Sequence, residues 1–385
     1  MYTKGLKMKF NKFLLAIFFS IIFSNNAFSM DTVAKQAIMI DFDTGQIILE
    51  KNPDELMKPA SMAKLMTIYI IFEKIKNKSI SLDDKFIVSE KAWKKRGSRT
   101  FLEPGQNVTV SDLLRGVIVQ SGNDAAIVLA EGISGSEDIF SDLMNSVARE
   151  LGMKNTTFRN STGWPDPEQN TSARDLSILS TNLIKNFPDL YKMFAEISFT
   201  YNGIKQGNRN PILYNNLVFG ADGLKTGHTE ESGYGLTASA QQKNLRFILV
   251  LNGMTSMRQR KQESSRLLNS AFREYKKLNL YLSNDNVTKA KVFLGEMEAV
   301  PLVVKQDISL LLNSIEQREM IVKAIWNEPI SAPIQKDTEL GKLLIKVSDE
   351  KTLSFPLYAG KTVNKQSFFK RIGSTIDFII WGSAK

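Results

Sequence analysis

The spacing of hydrophobic positions changes several times along this chain, and each change predicts a new element. Apolar runs at 37–41 and 46–49 flank the turn residues Asp43-Thr44-Gly45, which predicts a β-hairpin. The next apolar residues recur at helical spacing: Met62, Leu65, Met66, Tyr69 and Phe72. We therefore expect a helix with a buried face and with Ser61 in its first turn.

The middle of the segment 30–281 is predicted to be helical and its end to be mixed. Helices are expected from an N-cap at Ser111 toward Val119, at 124–132, from Ser136 to near Gly152, and at 172–186. Strands follow at 233–240 and 245–252, and then a helix at 258–279. This order favours an α/β (α+β) domain in which an antiparallel sheet, closed by both ends of the segment, is flanked by helices.

A second region begins after a predicted linker at 281–286. Its apolar runs are short and separated by turn residues, at 289–294, 299–304, 319–325, 342–348 and 352–357, which predicts a small all-β domain over 282–363. In the last segment, 364–385, the apolar residues from Phe368 to Ile380 line one helical face, and Trp381 follows. We interpret this segment as an amphipathic helix that lies in a membrane interface, with docking on the second domain as the alternative.

The first 29 residues have the composition of a secretory signal peptide. Four lysines precede an uncharged apolar run at 13–24, and Ala27-Phe28-Ser29 places small residues where a signal peptidase cuts. The run is short for a bilayer span, so we favour cleavage over a retained anchor. We therefore expect an exported protein at the periplasmic face of the cytoplasmic membrane, bound there peripherally.

Composition and charge narrow the functional classes. The 385 residues contain no cysteine and one histidine, which excludes cysteine nucleophiles and thiolate metal sites. The formal charge of +10 becomes +6 without the four leader lysines, and a basic surface suits an anionic membrane or polymer. We find no aromatic-basic patch typical of nucleic-acid binding. We predict no nucleic-acid partner, no metal and no cofactor.

The candidate chemistry lies in three short motifs. Ser61 and Lys64 share a helix face, so the lysine amine can reach the serine hydroxyl and act as its base if burial or a second cation keeps it uncharged. Ser121-Gly122-Asn123 lies at a helix junction and Lys225-Thr226-Gly227 on a strand, adding a second hydroxyl and a second ammonium. The trio points to acyl transfer without histidine.

The rival interpretations of single residues are weaker. Ser-x-x-Lys also occurs at Ser348 and Ser367, and we assign neither of these a function. His228 could suggest a Ser-His-Asp triad, but its position three residues after Lys225 fits a backbone role better.

The sequence around the trio resembles the low-molecular-mass penicillin-binding proteins, and within them the serine-type D-Ala-D-Ala carboxypeptidases. The matching segments are 59–67 around Ser61 and Lys64, 121–125, and 222–229 around Lys225. The resemblance covers roughly 30–280 and extends more loosely to the β-rich domain and the terminal anchor. It implies a penicillin-binding/transpeptidase-like catalytic domain.

The resemblance also implies roles for the motif residues. Ser61 would attack the carbonyl of the penultimate D-Ala and form an acyl-enzyme. Lys64 would be the general base, and Ser121 would relay a proton to the leaving amine.

The remaining implied roles concern substrate binding. Asn123 would hold the substrate amide and orient Lys64, Lys225 would hold the substrate carboxylate, and Thr226 would add a hydroxyl. Gly227 belongs to the same motif, and the backbone N–H groups of Ser61 and His228 would form the oxyanion hole. Arg260 would read the terminal carboxylate.

Three functions are then in competition. The first is a D,D-carboxypeptidase that trims peptidoglycan stem pentapeptides and is inhibited covalently by β-lactams. The second is a serine β-lactamase, but the deacylating Glu-x-x-Leu-Asn pattern is missing between Ser121 and Lys225, where Glu168 is the nearest candidate. The third is a non-catalytic module that binds cell-wall polymers through its basic surface. We expect the first.

Overall fold

The computed structural model describes residues 30–349 and 351–367. The predicted signal peptide at 1–29 and the amphipathic face that begins at Phe368 lie outside the described residues. Within the described part of the chain, no helix combines the length and the apolar character that a membrane crossing requires.

The described residues form seventeen strands and nine α-helices. The strands are β1 (Gln36–Asp41), β2 (Ile47–Lys51), β3 (Lys85–Ile87), β4 (Asn107–Thr109), β5 (Ser198–Tyr201), β6 (Ile204–Gly207), β7 (Ala221–Thr229), β8 (Gly233–Gln242), β9 (Leu245–Met254), β10 (Tyr275–Tyr281), β11 (Asn286–Phe293), β12 (Ala299–Val303), β13 (Ile308–Asn313), β14 (Ile321–Trp326), β15 (Ile330–Ser331), β16 (Glu339–Lys346) and β17 (Thr352–Ala359). The α-helices are α1 (Lys64–Lys76), α2 (Glu90–Lys94), α3 (Val110–Ile118), α4 (Asn123–Ser134), α5 (Glu137–Glu150), α6 (Ala173–Asn186), α7 (Pro188–Tyr191), α8 (Met257–Glu274) and α9 (Ser314–Glu319).

The first region is built on a five-stranded antiparallel sheet in the order β2-β1-β9-β8-β7. The N-terminal hairpin pairs with β9, so the predicted closure of the sheet by both ends of the segment is confirmed. β7 forms one edge of this sheet, and that edge carries Lys225.

Both faces of the sheet are covered, which explains why β1 is buried along its whole length. Ile38 and Ile40 join a core with the helices α1, α3, α4, α5 and α6. Ala37 and Met39, which point to the other face, join a second core with α8. The helices between the N-terminal hairpin and β7 therefore hold the motifs at Ser61 and Ser121 against β7, the edge strand that carries the third motif.

Two sequence expectations are wrong in detail. The predicted helix at 258–279 ends at Glu274, and residues 275–281 form β10, which pairs with β13. Its backbone groups are satisfied by a strand distant in sequence, which local spacing cannot reveal. The N-cap of α3 is Thr109 rather than Ser111, because the Thr109 hydroxyl accepts the Asp112 N–H.

The second region is a β-rich domain, as predicted. Its main sheet has the order β14-β16-β17-β12-β11-β15, and β10 with β13 forms a two-stranded sheet beside it. Alternate residues of β11 and β16, such as Val292 and Leu343, face a separate hydrophobic core. The short helix α9 was not predicted.

Candidate active site

Ser61 and Lys64 lie one helical turn apart at the entrance to α1. Residues Ala60–Ala63 form a 3-10 turn that runs directly into α1, which begins at Lys64. The apolar face predicted for this helix is buried, which fixes the turn against the core. Lys64 Nζ lies 3.0 Å from Ser61 Oγ, within hydrogen-bond reach.

Lys64 is fully buried and has three hydrogen-bond acceptors. Its Nζ donates to Ser61 Oγ, to Asn123 Oδ1 at 2.7 Å and to the Thr162 carbonyl. Burial, followed by the positive charge of Arg209, lowers the pKa of Lys64 from 10.5 to about 7. The amine is therefore poised to be uncharged in part of the molecules at neutral pH, as a general base must be.

Ser121 lies between α3 and α4 in a left-handed backbone conformation, with a φ of 64°. Its side chain is buried, and within the described residues its Oγ has no hydrogen-bond partner. Non-glycine residues in this conformation are uncommon and cluster at functional sites. Asn123 starts α4 and donates from Nδ2 to the Arg96 carbonyl, which leaves Oδ1 for Lys64.

The third motif lies within the edge strand β7. Lys225 is buried, and its Nζ donates to the Thr226 carbonyl at 3.3 Å. Burial, the charge of Lys64 and then the charges of Arg209 and Arg260 lower the pKa of Lys225 well below 10.5. β7 passes close to the turn that carries Ser61. A Cβ at Gly227 would lie 3.0 Å from the carbonyl oxygen of Pro59, the residue that precedes this turn.

His228, Tyr234 and Arg260 form a stack beside this strand. The His228 ring lies 3.9 Å from the Tyr234 ring, its cross-strand neighbour on β8. The Arg260 guanidinium lies 5.8 Å from the same ring, and its Nε is buried with no partner among the described residues. Burial lowers the pKa of Arg260 to about 10, so it stays cationic at neutral pH.

Arg209 was missed by the sequence analysis. It lies in the loop after β6, between the buried Asn208 and Asn210, and its side chain is exposed. Its charge nevertheless lowers the pKa of Lys64, Lys225 and Arg260, so Arg209 acts electrostatically on the same group of residues. Loop residues without periodicity carry little local signal, so the sequence offered no cue that would have identified Arg209.

The arrangement supplies the parts needed for acyl transfer. A serine hydroxyl adjoins a buried lysine of lowered pKa, a second free hydroxyl lies in a strained turn, and the charges of Arg209 and Arg260 make the cleft cationic. A cationic cleft favours a substrate with a free carboxylate. Among the described residues, no group of histidine and carboxylate side chains is arranged to hold a metal.

Comparison with known proteins agrees with this chemistry. Residues 24–255 match the family described as D-alanyl-D-alanine carboxypeptidase, and residues 275–365 match Penicillin-binding protein 5, C-terminal domain. D-alanyl-D-alanine carboxypeptidase DacF of Bacillus subtilis (strain 168) is 37% identical over 351 residues, covering 89% of this chain and 89% of the relative.

Two crystal structures show the same architecture. The D-alanyl-D-alanine carboxypeptidase DacD from Francisella tularensis aligns with a TM-score of 0.77 and 30% identity, covering 88% of this chain and 95% of the other. Penicillin binding protein 5 from Haemophilus influenzae aligns with a TM-score of 0.73 and 34% identity, covering 87% and 99%.

The fold and the matches define a serine hydrolase with a penicillin-binding-type α/β catalytic domain followed by an all-β domain. The chain belongs to the D-alanyl-D-alanine carboxypeptidase family. Its function is therefore that of a serine D,D-carboxypeptidase. The predicted family, the activity and the fold class of the catalytic and all-β domains are confirmed.

Proposed function

We propose that Ser61 is the nucleophile of this carboxypeptidase and that neutral Lys64 is its base. The observation that carries the proposal is the 3.0 Å contact between Lys64 Nζ and Ser61 Oγ, made by a lysine whose pKa is lowered to about 7. Lys64 takes the hydroxyl proton as Ser61 Oγ attacks the carbonyl of the penultimate D-Ala. The backbone N–H groups of Ser61 and His228 stabilise the developing oxyanion.

The second half of the acylation step needs a proton for the leaving group. The Ser121 hydroxyl, which has no other partner in the described part of the chain, passes the proton from Lys64 to the nitrogen of the terminal D-Ala. The C–N bond breaks, D-Ala departs, and Ser61 carries the acyl chain. Water then attacks this ester with Lys64 again as base, and the ester C–O bond breaks. Lys64 returns the proton to Ser61 Oγ, which restores the serine hydroxyl, and the shortened peptide leaves as a carboxylic acid.

The cationic residues of the cleft bind the terminal carboxylate. Arg260 supplies positive charge, and Lys225 becomes charged when the carboxylate binds beside it, because a neighbouring anion favours the protonated amine. Thr226 adds a hydroxyl, and Asn123 holds the substrate amide while orienting Lys64. The substrate is the peptidoglycan stem pentapeptide. β-Lactams, which carry a carboxylate beside a strained amide, acylate the same serine.

A β-lactamase function is less well supported. Glu168, the nearest candidate for a deacylating glutamate, forms an ion pair with Arg159 at 2.8 Å, and 70% of its side chain is exposed. Such a carboxylate is not held beside the acylated serine.

We further propose export, with residues 1–29 removed, and a domain division at 30–281 and 282–363. The segment 364–385 then tethers the enzyme to the membrane surface, and the β-rich domain sets the height of the cleft above it. Truncation after Val363 should release the protein from membranes into the soluble fraction. A truncated chain that still sediments with membranes would contradict the tether.

The main test is product analysis with a synthetic stem pentapeptide. Mass spectrometry should show loss of one alanine with wild-type protein and no loss with Ser61→Ala. Hydrolysis of penicillin that outpaces release of D-Ala would favour the β-lactamase instead.

A further inference from the structure

The third hydrogen bond of Lys64 comes from outside the three motifs. Its acceptor is the Thr162 carbonyl, in the loop at 160–164 between α5 and α6. A backbone carbonyl can fix the orientation of a lysine amine only if the loop that carries it is itself held in place. The contacts of the loop at 160–164 therefore determine how Lys64 is oriented.

One side of this loop rests on Glu137, the first residue of α5. Glu137 Oε1 accepts the Ser161 hydroxyl at 2.7 Å and the Ser161 N–H at 3.2 Å. Its Oε2 forms an ion pair with Lys91 of α2 at 2.9 Å, and only 8% of the glutamate side chain is exposed. Burial raises the pKa of Glu137, but the bonds from Lys91 and Ser161 outweigh it, so the pKa is lowered and the group is ionised.

The other side of the loop rests on the turn that carries Ser61. Gly163 has a φ of 77°, and a Cβ there would lie 1.8 Å from the Ala60 carbonyl oxygen, so no side chain fits. The Thr67 hydroxyl of α1 donates to the Ser161 carbonyl at 2.7 Å. The Thr162 carbonyl is thus clamped between α1 and the Glu137 carboxylate.

The clamp determines where the lone pair of the base points. A neutral lysine amine has two hydrogens and one lone pair. If Asn123 Oδ1 and the Thr162 carbonyl accept the two hydrogens, the lone pair faces Ser61 Oγ. Without the Thr162 carbonyl the amine could rotate, and a small misplacement of a reacting group can cost about 10²-fold in rate.

We propose that Glu137 is a positioning residue for the general base: paired with Lys91, it anchors Ser161 so that the Thr162 carbonyl orients Lys64 toward Ser61. The inference rests on the proposed role of Lys64.

The charge of Glu137 affects the pKa of Lys64, and this pKa can be measured. A purely structural role of Glu137 would leave it unchanged. The groups that act on Lys64 are Arg209 and Lys95, which lower its pKa, and Asp124 and Glu137, which raise it. Lys225 also faces it from β7, since the charge of Lys64 lowers the pKa of Lys225. Removing the Glu137 charge should lower the pKa of Lys64, while removing Lys91 leaves the Glu137 charge uncompensated and should raise it.

The test measures the second-order rate constant of acylation by a fluorescent penicillin as a function of pH. Glu137→Ala should lower the rate about 10–100-fold at neutral pH. Glu137→Gln, which keeps an acceptor for Ser161, should lose less rate and should shift the acid midpoint to lower pH. Lys91→Met should shift that midpoint to higher pH.

A matched control is available on the same helix. Lys94 forms an exposed i,i+4 pair with Glu90, so Lys94→Met should leave both rate and midpoint unchanged. Thermal unfolding of each variant gives the folded fraction by which rates are corrected.

Two results would overturn the inference. One is a wild-type rate and midpoint in folded Glu137→Ala. The other is a pair of midpoints in Glu137→Gln and Lys91→Met that do not move in opposite directions, which decides the matter even if Glu137→Ala does not fold. Failure of the proposed function is distinguishable, because wild-type protein would then take no label on Ser61.

Discussion

The two regions of the molecule treat polar side chains differently. In the described residues, every buried polar or charged side chain lies between Thr32 and Ser265, in the catalytic region. The β-rich region that follows buries only apolar side chains in its core. Lysines show the contrast most clearly, since Lys64 and Lys225 are buried whereas Lys289 and Lys342 are exposed on their strands.

This difference shows that the catalytic region buries, at a cost in stability, charged groups that its chemistry uses. Strands such as β16 alternate between buried Leu343 and exposed Lys342, as a half-buried sheet requires. The cleft breaks this pattern by burying two cations whose charged forms are disfavoured there. Departures from the polar and apolar pattern are expected at functional sites.

The two regions even share a motif. Ser348 and Lys351 have the spacing of Ser61 and Lys64, but they lie in the turn between β16 and β17 and exchange backbone hydrogen bonds. Sequence spacing alone therefore does not make a site. The burial of Lys64 and the three acceptors around it do.

The largest effect is expected at the nucleophile. Ser61→Ala should abolish covalent penicillin labelling and D-Ala release, because the acyl bond of the proposed mechanism forms on the Ser61 oxygen. Ser348→Ala, in the same spacing in the other region, should behave like wild type. Labelling that survives in Ser61→Ala would contradict the claim that the Ser-x-x-Lys spacing is catalytic at Ser61 and not at Ser348.

The next effect is expected at the base. Lys64→Ala should slow acylation by roughly 10²–10⁴-fold, the usual value of general-base catalysis. The matched variant Lys351→Ala should be unchanged. Stopped-flow acylation measurements check both, and a wild-type rate in Lys64→Ala would exclude it as the base.

A stability effect should separate the buried and exposed lysines. The pKa of Lys225 is far below 10.5 in the folded state, so the unfolded state binds more protons and the free energy of unfolding rises with pH up to about 10.5. Lys225→Met should remove this dependence and increase that free energy at neutral pH, because the apolar side chain has no amine that must be desolvated. Urea unfolding of both proteins at several pH values measures this free energy and its dependence on pH.

The control for Lys225 is again in the other region. Lys342→Met on β16 should change the free energy of unfolding by less than about 0.5 kcal/mol, as exposed substitutions usually do. Equal effects of the two substitutions would show that burial of the lysine is not what costs stability.

A smaller loss of activity is expected at Arg260. Hydrogen bonds to charged groups contribute about 1.5–3 kcal/mol, so Arg260→Gln should lower kcat/KM for the pentapeptide roughly tenfold to a hundredfold. The neighbouring exposed Arg258→Gln serves as control. An unchanged kcat/KM in Arg260→Gln would remove Arg260 from the carboxylate site.

The smallest effect is a shift in pH dependence at Arg209. Because the Arg209 charge lowers the pKa of Lys64, Arg209→Gln should raise that pKa and move the acid midpoint of acylation to higher pH. Arg209→Lys, which keeps the charge, should leave the midpoint nearer to that of wild type. A downward shift in Arg209→Gln would contradict the electrostatic account.

Local sequence patterns correctly predicted the elements whose conformation is determined by neighbouring residues. The hairpin at 37–49 and the buried helix after Ser61 follow from turn residues and apolar spacing, and the structure contains both. The end of α8 could not be predicted, because β10 depends on pairing with β13, more than thirty residues away. The motif residues were visible from the sequence as a set.

The supporting residues of the site were not visible. Arg209 and Glu137 act on Lys64 from a loop and a helix start that lie far from it in sequence, and nothing in their local pattern distinguishes them. Their contribution is charge and position at a distance, which only the folded chain defines.

The central claim is that an uncharged, buried lysine activates Ser61. The most direct test is the pH dependence of wild-type acylation, measured by rapid mixing with penicillin and assigned to Ser61 by peptide mass spectrometry. The account predicts a rate that rises with pH through a midpoint near the pKa of about 7 of Lys64. A rate without that rise, or a midpoint that persists in Lys64→Ala, would contradict it.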